Sequence, residues 1–450
     1  MKLIKVIPYG SIVIAILVLL HIFFPSSWPS GVKSLIDAFF LNPLQNWFLI
    51  FPVIGLIVLS GLILYYGIHF LASFGSKYET DDFYYTGVSI VIASKNEKAL
   101  LERTLNSIAK LDYPKEKLQL VVVTSGSTDN STEFCRHFAE KHTDLDVEVL
   151  SEHVAKKGKP AALNYGLEHV KNEIFVLYDS GCVLQPDTLK YLIAPFQYER
   201  NKATIGPVLV KNWKENKWTR GILLDYSTIA GGGILFEIKN RLGASAYSFG
   251  RNFAVRTEYL RKYGGFNEDS LTEDLYLSQL LNLDGIDILF TSKAKVYEHV
   301  PTSWDILKVQ RTRWMAGFIL DMPQLMEMKN KEKDGKPIII ARNLTMFLFG
   351  NLDSWMHLVI GFSVLFFFIG EYYLFCWALL CLFFQFGCLF NAVRKYADKH
   401  YSVLFYFPIS GFIHLYMILR QFTLPEDLGW DQTPLILEKQ EKEINALSNN

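Results

Sequence analysis

Long apolar runs at both ends of the chain constrain its fold more than any other feature. Two runs precede residue 75, and each is long enough to cross a hydrocarbon layer of about 30 Å: Val6–Phe24 and Trp47–Phe70. Three more follow residue 337: Ile338–Gly370, Tyr373–Phe390 and Val403–Phe422. The pattern predicts groups of transmembrane helices on either side of a polar central segment.

The first apolar run admits two interpretations. Lys2 and Lys5 before it are typical of a signal peptide, but no small-residue cleavage motif follows Phe24. We favour a helical hairpin with a cytoplasmic N-terminus, which keeps both lysines on the inner side, and Arg394 and Lys395 likewise mark a cytoplasmic loop. The chain is therefore expected to be a multi-pass plasma-membrane protein in contact with lipids, with its polar segment in the cytoplasm.

The number of C-terminal spans stays open at two, three or four. Ile338–Gly370 is too long for one straight helix, and Pro408, Ser410 and Gly411 would let the last run bend as a re-entrant segment. The count decides on which side of the membrane Gly429–Thr433 lies.

The central segment alternates between strand and helix patterns. Short apolar runs predict buried parallel strands, and the segments between them predict helices: strands Val88–Ala93, Leu118–Val123 and Glu173–Tyr178, helices Ala99–Lys110 and Ser131–His142. This alternation predicts a doubly wound α/β domain that binds ligands at the carboxyl ends of its strands.

We expect five segments: a transmembrane hairpin at 1–75, the α/β domain at 76–300, an amphipathic interfacial region at 301–337, a C-terminal transmembrane region at 338–435 and a polar tail at 436–450.

Charge and cysteine patterns argue against two classes of function. Lys and Arg together number 45, as do Asp and Glu, so no net field attracts nucleic acid. None of the five cysteines has zinc-ligand spacing, and free buried thiols are expected.

Polar loops follow the first two predicted strands. Ser94, Asn96 and Glu97 follow the first, and Asp129 ends the Gly126–Asp129 turn after the second. Such loops offer backbone N–H groups and helix N-termini to phosphates, although the same residues also form ordinary turns and N-caps.

Charged residues mark the next strand and helix. Lys159 ends the run Lys156-Lys157-Gly158-Lys159 before a helix, where a phosphate-bearing ligand would explain the cations and a solvated charge run is the alternative. Asp179 ends the third strand, where it either ligates Mg²⁺ or Mn²⁺ on a diphosphate or caps a turn.

Two later motifs suggest acid–base and anion chemistry. Thr272-Glu273-Asp274 follows a Gly264-Gly265-Phe266 turn, and its acids supply a general base or simply begin a helix. Gln310-Arg311-Thr312-Arg313-Trp314 suits diphosphate and sugar-ring contacts, or forms a basic aromatic helix at a membrane interface.

In this order the motifs resemble the membrane-bound family 2 inverting glycosyltransferases, which include cellulose, chitin, hyaluronan and poly-N-acetylglucosamine synthases. The resemblance covers residues 85–320. It implies an α/β GT-A fold inserted between transmembrane helices, a nucleoside-diphosphate sugar donor, a glycan or lipid acceptor, and Mg²⁺ or Mn²⁺.

The resemblance also implies a role for each motif residue. It places the catalytic base at Asp274, next to Glu273, and the metal-site acid at Asp179. The remaining roles are donor and nucleotide binding for Ser94, Asn96, Glu97, Asp129, Lys159, Asn164 and Asp179, and acceptor or diphosphate contacts for Gly250, Asn252, Gln310, Arg311, Arg313 and Trp314.

Two departures from the family pattern affect the donor site. Thr124 and Ser125 stand where the family commonly has aspartates, the first of which helps to recognise the nucleotide base. Gly181 replaces the second acid of the Asp-x-Asp motif, which puts uridine specificity and metal dependence in question. We consider His299 a candidate for the missing metal ligand.

Three functions follow from the resemblance. The leading one is transfer of a sugar to a growing β-linked polysaccharide at the membrane. One-step glycosylation of a lipid acceptor would use the same base, Asp274. A non-catalytic membrane subunit that regulates a partner synthase is the third, and an accessory subunit is compatible with each.

Overall fold

The computed structural model describes residues 37, 40–42, 45, 50–75, 83–151, 158–327, 352–370 and 372–423. They divide into two compact units, one made of residues up to Gly75 and from 352 to Asn391, the other of residues 83–327 and from Ala392 onward. Predictions for Val6–Phe24, Lys156-Lys157, 338–351, Gly429–Thr433 and the tail at 436–450 lie outside the described residues.

Ten strands form two sheets in the described part of the second unit. The strands are β1 (Val88–Ala93), β2 (Leu118–Val123), β3 (Asp146–Leu150), β4 (Ile174–Leu177), β5 (Val183–Leu184), β6 (Ala203–Ile205), β7 (Val208–Val210), β8 (Phe253–Arg256), β9 (Ile288–Phe290) and β10 (Val296–Glu298). The larger sheet has the order β3-β2-β1-β4-β8-β6-β9, and the smaller one β5-β10-β7.

The predicted α/β architecture is confirmed, with one difference in strand direction. β1 to β4 are parallel neighbours, and β1, β2 and β4 are buried on both faces as their apolar sequences predict, whereas the edge strand β3 is mostly part-exposed. β8, however, runs antiparallel to both β4 and β6, so the sheet is mixed.

The helices of the two units follow in chain order. They are α1 (Ile50–Ala72), α2 (Lys98–Ile108), α3 (Ser131–Lys141), α4 (Lys159–Glu168), α5 (Thr188–Ile193), α6 (Lys217–Asp225), α7 (Ile234–Arg241), α8 (Thr257–Lys262), α9 (Glu273–Leu283), α10 (Trp304–Glu327), α11 (Leu352–Phe368), α12 (Tyr372–Tyr396) and α13 (Phe407–Arg420). A π-helical turn, Tyr226–Ala230, joins α6 to the loop before α7.

Helix α4 packs closely on the parallel strands and so fixes the position of its N-terminal Lys159. A Cβ at Gly166 would lie only 2.8 Å from Val91 Cγ1 and 3.2 Å from Val123 Cγ2. The glycine lets the helix backbone approach β1 and β2, and the helix N-terminus then lies at the carboxyl edge of the sheet.

Helices α6, α10 and α13 pack together in the second unit. Trp218 of α6 stacks on Trp304 of α10 with 5.2 Å between ring centroids. A Cβ at Gly221 would lie 2.6 Å from Ile409 Cγ2, so α6 and α13 also meet closely. The predicted last span begins as a 3₁₀ helix, Tyr401–Tyr406, and becomes α-helical at Phe407, next to Pro408.

Among the described residues, three helical stretches are long and apolar enough to cross a membrane: Lys217–Arg241, Leu374–Tyr396 and Tyr401–Arg420. The first was not predicted, and it is almost wholly buried within the second unit. Ile57–Ala72 and Leu352–Phe368 are shorter apolar helices. The high hydropathy of Lys217–Arg241 therefore reflects its burial within the protein.

In the first unit, α1 packs on α12. A Cβ at Gly387 would lie 2.4 Å from the Phe70 ring, which shows how closely the two helices approach. Asn391 Nδ2 donates a hydrogen bond of 2.7 Å to Ser73 Oγ, and both residues are buried.

Candidate active site

Charged side chains from three motifs meet beyond the carboxyl end of β4. Asp179 Oδ1 lies 2.6 Å from the Lys159 ammonium, which also lies 3.3 Å from Glu273 Oε1 and donates to the Gly250 carbonyl at 3.3 Å. Burial alone would lower the pKa of Lys159. The nearby carboxylates of Asp179, Glu273 and Asp274 raise it by more, so the pKa lies above its ordinary value. Lys159 is therefore a fixed positive charge in the site.

Asp274 is an acid whose pKa is raised above its ordinary value. It lies in the first turn of α9 beside Glu273. Burial raises the pKa of Asp274 to about 7, with a further increase from Glu273 and an opposing effect from Lys159. A carboxylate with this pKa can accept a proton near neutral pH.

Gly250 faces the acid and the lysine through its backbone. Its φ is +73°, and a Cβ there would lie 3.0 Å from Asp274 Oδ2 and 3.1 Å from Lys159 Nζ. A side chain would both strain the backbone and press on the charged groups.

Helix α10 holds the start of α9 in place. Asp321 Oδ2 accepts hydrogen bonds from Ser270 Oγ at 2.6 Å and Thr272 Oγ1 at 3.2 Å. Gly317 allows the close approach, because a Cβ there would lie 2.5 Å from the Thr272 side chain.

The loops after β1 and β2 are tied to each other. Asn96, at φ 58°, accepts a hydrogen bond from the Thr128 backbone at 2.7 Å, and Asp129 accepts one from the Lys98 backbone at 2.9 Å. Asp129 also accepts from Ser131 N and Oγ. Both predicted donor-site residues thus shape the loop backbone.

Glu97 is the buried acid of this loop. Ser94 Oγ donates to Glu97 Oε2 at 3.3 Å, and Ser180 Oγ donates to the same oxygen. Burial raises the pKa of Glu97 to about 7, against the lowering effect of the Ser180 hydrogen bond. Ser180 follows Asp179, so Glu97 is linked to the β4 end of the site.

Two asparagines predicted to contact ligands form hydrogen bonds with the protein backbone. Asn164 Nδ2 donates to Phe266 O at 2.9 Å, and Asn164 Oδ1 accepts from Phe266 N at 2.7 Å. Asn252 is fully buried and its Nδ2 donates to Ala294 O at 2.6 Å and Pro207 O at 3.2 Å. Asn252 Oδ1 is buried without a hydrogen-bond partner in the part of the chain that the structure describes. The predicted ligand contacts of Asn164 and Asn252 stay predictions.

Arg313 brings α10 to the charged centre. Its Nη1 donates a hydrogen bond of 3.0 Å to Leu271 O, just before α9. Burial lowers the pKa of Arg313, and Glu273, Asp274 and Asp179 oppose that effect, so these carboxylates act on its guanidinium. Gln310 and Trp314 of the same motif are partly buried.

Arg311 does not face this centre, contrary to the prediction. It is 2% exposed, and its Nη2 lies 2.5 Å from Asp225 Oδ2. His414 Nε2 lies 2.9 Å from the other oxygen of the same carboxylate. Because its charge is paired within the protein interior, Arg311 positions helices and is not placed to bind a diphosphate.

His299 follows the last residue of β10, and its role as a metal ligand stays a prediction. The described residues contain no group of three or more His, Cys, Asp or Glu side chains suited to a metal ion. Burial lowers the pKa of His299 to about 4, helped by the cations Arg103 and Lys211. The preceding residue, Glu298, ends β10. Burial raises the pKa of Glu298, Arg251 opposes that effect, and Asp179 adds a smaller increase.

Comparison with known proteins identifies the family. The family profile described as "Glycosyltransferase like family 2" matches residues 86–317, just over half of the chain. The chain belongs to this family. It is a glycosyltransferase.

Curated relatives of this glycosyltransferase include enzymes with different acceptors. A probable glycosyltransferase of Bacillus subtilis, YdaM, is 28% identical over 307 residues, 64% of this chain and 72% of that protein. A beta-monoglucosyldiacylglycerol synthase of a Nostoc species is 31% identical over 231 residues, 51% of this chain and 48% of that protein. The poly-beta-1,6-N-acetyl-D-glucosamine synthase of Staphylococcus epidermidis is 27% identical over 234 residues, 51% and 54% of the two chains. The chain thus spans about half the length of these two synthases.

A solved structure shares the fold of the glycosyltransferase. It is a mannosyltransferase of Pyrobaculum calidifontis in complex with GDP-Man and Mn²⁺, with a TM-score of 0.53 and 19% identity. The match covers 82% of this chain and 97% of the other. Together with the mixed central sheet, it shows the GT-A-like glycosyltransferase fold.

Two positions at which the resemblance leads us to expect carboxylates are held by contacts within the protein. Thr124 is buried, with its hydroxyl 2.8 Å from Thr132 Oγ1. Gly181 has φ +94° and donates its N–H to Thr104 Oγ1 at 2.8 Å. Asp179 is the one carboxylate left in this motif.

This donor set fits a divalent cation that arrives with a diphosphate. Mg²⁺ commonly binds one or two carboxylates and completes its shell with phosphate oxygens and water. Asp179 is about 30% exposed and can serve as that single carboxylate. To bind the cation, Asp179 Oδ1 would have to give up its contact with the Lys159 ammonium.

The sequence did not predict the buried residues that hold Arg251 and Arg311 in place. Asp225, Tyr226 and Glu298 contact Arg251 or Arg311. His414 contacts Asp225. All four residues are buried or nearly so. No motif marks them, because each is joined to its partner by folding over a long sequence separation.

Proposed function

We propose that this glycosyltransferase transfers a sugar from a nucleoside-diphosphate sugar to a membrane-associated acceptor with inversion of the anomeric centre. The observation that supports it best is the Asp274 carboxylate, with a pKa of about 7, beside the fixed cation Lys159. Single-step inversion needs one base for the acceptor hydroxyl and positive charge for the departing diphosphate.

Asp274 is the base in this proposal. Its deprotonated carboxylate accepts the acceptor hydroxyl proton as the new glycosidic bond forms and the bond to the nucleoside diphosphate breaks. Glu273, 3.3 Å from Lys159, orients that lysine and favours its protonated form.

Lys159 and Arg313 neutralise the diphosphate that leaves. Both side chains lie near Asp179, Glu273 and Asp274, so their charges act where the negative charge of the leaving group develops. A bound Mg²⁺ or Mn²⁺ would supply further charge neutralisation at Asp179. The loops carrying Ser94, Asn96, Glu97 and Asp129 would receive the nucleotide.

The preferred acceptor is a growing β-linked polysaccharide, contacted by Gln310 and Trp314. Buried polar residues in the helices of the first unit favour this acceptor: Ser60, His69, Ser73, Asp353, Ser363, Gln385 and Asn391. Polar and ionisable groups inside membrane helices commonly mark a substrate path. The poly-N-acetylglucosamine synthase relative acts on an acceptor of this class.

A lipid acceptor is the second candidate. The glycolipid synthase relative has 31% identity over the matched half. Large apolar side chains on α13 are exposed at helical spacing, at Phe412, Leu415 and Leu419, and would let a lipid reach the second unit from a bilayer. The reaction and the base would be the same.

The cellular setting completes the proposal. We place the protein in the plasma membrane as a multi-pass protein with the second unit in the cytoplasm, where nucleotide sugars are available. Leu374–Tyr396 is long and apolar enough to span the membrane, and Arg394 and Lys395 at its end follow the positive-inside bias.

A donor panel in lipid nanodiscs tests the function. Purified protein is incubated with UDP-, GDP- and CDP-sugars and Mg²⁺ or Mn²⁺, and nucleotide release and labelled product are measured. A long water-soluble polymer supports the polysaccharide acceptor, and a single-sugar product in the organic phase supports the lipid acceptor. Donor binding without any transfer would contradict the proposed function.

A further inference from the structure

Two guanidinium groups lie against the ring of Trp314, the aromatic residue of the motif on α10. Arg311 Cζ is 4.5 Å from the ring centroid and Arg251 Cζ is 5.5 Å from it. Both arginines are buried, whereas Trp314 is only partly buried. The tryptophan therefore has two charged neighbours inside the protein and part of its surface open to a ligand.

Arg311 is anchored by a carboxylate from a different helix. Asp225, at the end of α6, lies 2.5 Å from Arg311 Nη2 and is fully buried. The second Asp225 oxygen is occupied by His414 Nε2 at 2.9 Å. The guanidinium thus cannot leave the Trp314 ring without uncovering a buried ion pair.

Arg251 is likewise anchored by a carboxylate, that of Glu298. Its Nη1 lies 3.3 Å from Glu298 Oε1, and its Nη2 donates to Tyr226 Oη at 3.0 Å and to Ala230 O at 3.2 Å. Tyr226 Oη in turn donates to Glu298 Oε1 at 2.6 Å. Nη1 and Nη2 are thus both held by protein groups, whereas the buried Nε has no hydrogen-bond partner among the described residues.

The π-helical turn Tyr226–Ala230 supplies two of these contacts. It brings the Tyr226 hydroxyl and the Ala230 carbonyl to the same arginine nitrogen. Single π-helical turns occur often at functional sites, because they redirect side chains that a regular α-helix would place elsewhere. Here the turn directly follows Asp225, so it also links the anchors of both arginines.

We propose that Arg251 and Arg311 are positioning residues that hold the Trp314 ring in the orientation needed to stack on the acceptor sugar, with Glu298 and Asp225 as their anchors. This inference rests on the proposed function. A planar guanidinium stacks on an aromatic face, whereas a lysine ammonium preserves the charge but not the stacking plane. Arg→Lys substitutions therefore remove the proposed role selectively.

A double-mutant cycle tests the inference. Transfer is measured for Arg251→Lys, Arg311→Lys and Trp314→Ala, and for each lysine variant combined with Trp314→Ala. Each lysine variant alone is expected to raise the acceptor KM about fivefold, because lysine keeps the positive charge near the ring but loses the stacked guanidinium plane, with little change in donor KM. In protein that already carries Trp314→Ala, either lysine change should raise the acceptor KM by less than about twofold, because the ring that the arginine holds is already absent.

Arg256→Lys is the matched control. Arg256 is also buried, pairs with Glu173 and lies over the Phe196 ring at 5.7 Å, but it does not contact Trp314. It should leave the acceptor KM unchanged. Equal effects of Arg251→Lys with and without Trp314, or an equal increase in Arg256→Lys, would overturn the inference.

Two further arms keep the test decisive. Donor binding and thermal unfolding are measured for every variant. Tyr226→Phe, which loosens Arg251 without removing a charge, replaces Arg251→Lys if that variant does not fold. Tyr226→Phe should raise the acceptor KM only when Trp314 is present, and an increase independent of Trp314 would count against the inference. Wild-type protein that transfers no sugar would contradict the proposed function instead.

Discussion

The Lys159 ammonium lies 2.6 Å from Asp179 and brings the end of β4 into contact with the start of α9 through Glu273, 3.3 Å away. These three residues come from separate motifs of the chain. Their convergence places Asp274 beside a fixed positive charge, which is the arrangement that transfer with a departing diphosphate requires.

Asp274→Asn should abolish transfer while donor binding persists. The amide keeps the shape of the side chain but cannot accept the acceptor proton, so kcat should fall by about 10²–10⁴-fold. Nucleotide-sugar affinity, measured by calorimetry, should stay within a few-fold of wild type. Asp269→Asn, at an exposed turn, is the matched control and should retain wild-type kcat. Turnover retained by Asp274→Asn would exclude this residue as the base.

The transfer rate should rise with pH through about 7. Asp274 has a pKa of about 7 because of burial, and only its deprotonated form acts as a base, so kcat/KM should increase as pH rises and then level off. The measurement is initial rate against pH from 5 to 9, a range chosen to bracket the pKa.

Glu97 is the alternative source of such a pH dependence, since its pKa is also about 7. Glu97→Gln separates the two acids. If Asp274 is responsible, the variant keeps an inflection near the same pH even where its rate is lower. Loss of the inflection in Glu97→Gln would assign the titration to Glu97.

Gly250→Ala should reduce activity far more than stability. Both φ +73° and the short distances to Asp274 and Lys159 oppose a side chain here. The matched control is Gly264→Ala, at φ +76° with no atom within 4 Å of its Cβ. Both changes should destabilise by about 1–2 kcal/mol in thermal unfolding, from the left-handed backbone alone. Only Gly250→Ala should lower kcat, and equal kcat losses would show that backbone strain is the cause.

Asp225→Asn should strongly destabilise the second unit. It leaves the buried Arg311 charge without its carboxylate, a loss of about 3–5 kcal/mol in comparable buried pairs. Asp146→Asn, which breaks the exposed pair with Lys171, should cost less than about 1 kcal/mol. Thermal unfolding in nanodiscs measures both, and similar shifts for the two variants would contradict the buried-pair interpretation.

Metal removal should lower transfer, and Asp179 should govern the response. With one carboxylate in the motif, Asp179→Asn is expected to raise the Mg²⁺ or Mn²⁺ concentration for half-maximal rate at least about tenfold. Rates are measured after EDTA treatment and metal addition. His299→Ala tests the second candidate ligand, and an unchanged metal response in that variant would exclude it. Full activity in EDTA would contradict the assignment of a divalent cation to this site.

The sequence predicts the parts of the fold and site that depend on local pattern. β1, β2 and β4 are apolar on both faces, and the motif residues Lys159, Asp179, Glu273 and Asp274 lie next to the ends of regular elements. Strand ends of a parallel sheet meet at one edge, so local position already indicates that these residues converge.

Residues whose role depends on distant partners could not be predicted in this way. Asn164 bonds to Phe266 and Arg311 pairs with Asp225, over separations of 102 and 86 residues. An amide or guanidinium next to a motif has the same local signature whether it binds ligand or protein. The apolar stretch Lys217–Arg241 shows the same limit, because hydropathy responds equally to a lipid environment and to a protein interior.

The anomeric configuration of the first product tests the central claim most directly. With an α-linked nucleoside-diphosphate sugar identified in the donor panel, NMR of the product formed before any secondary reaction reports the new linkage. A β-linkage, lost together with turnover in Asp274→Asn, is the predicted result. An α-linkage would contradict inversion with Asp274 as the base.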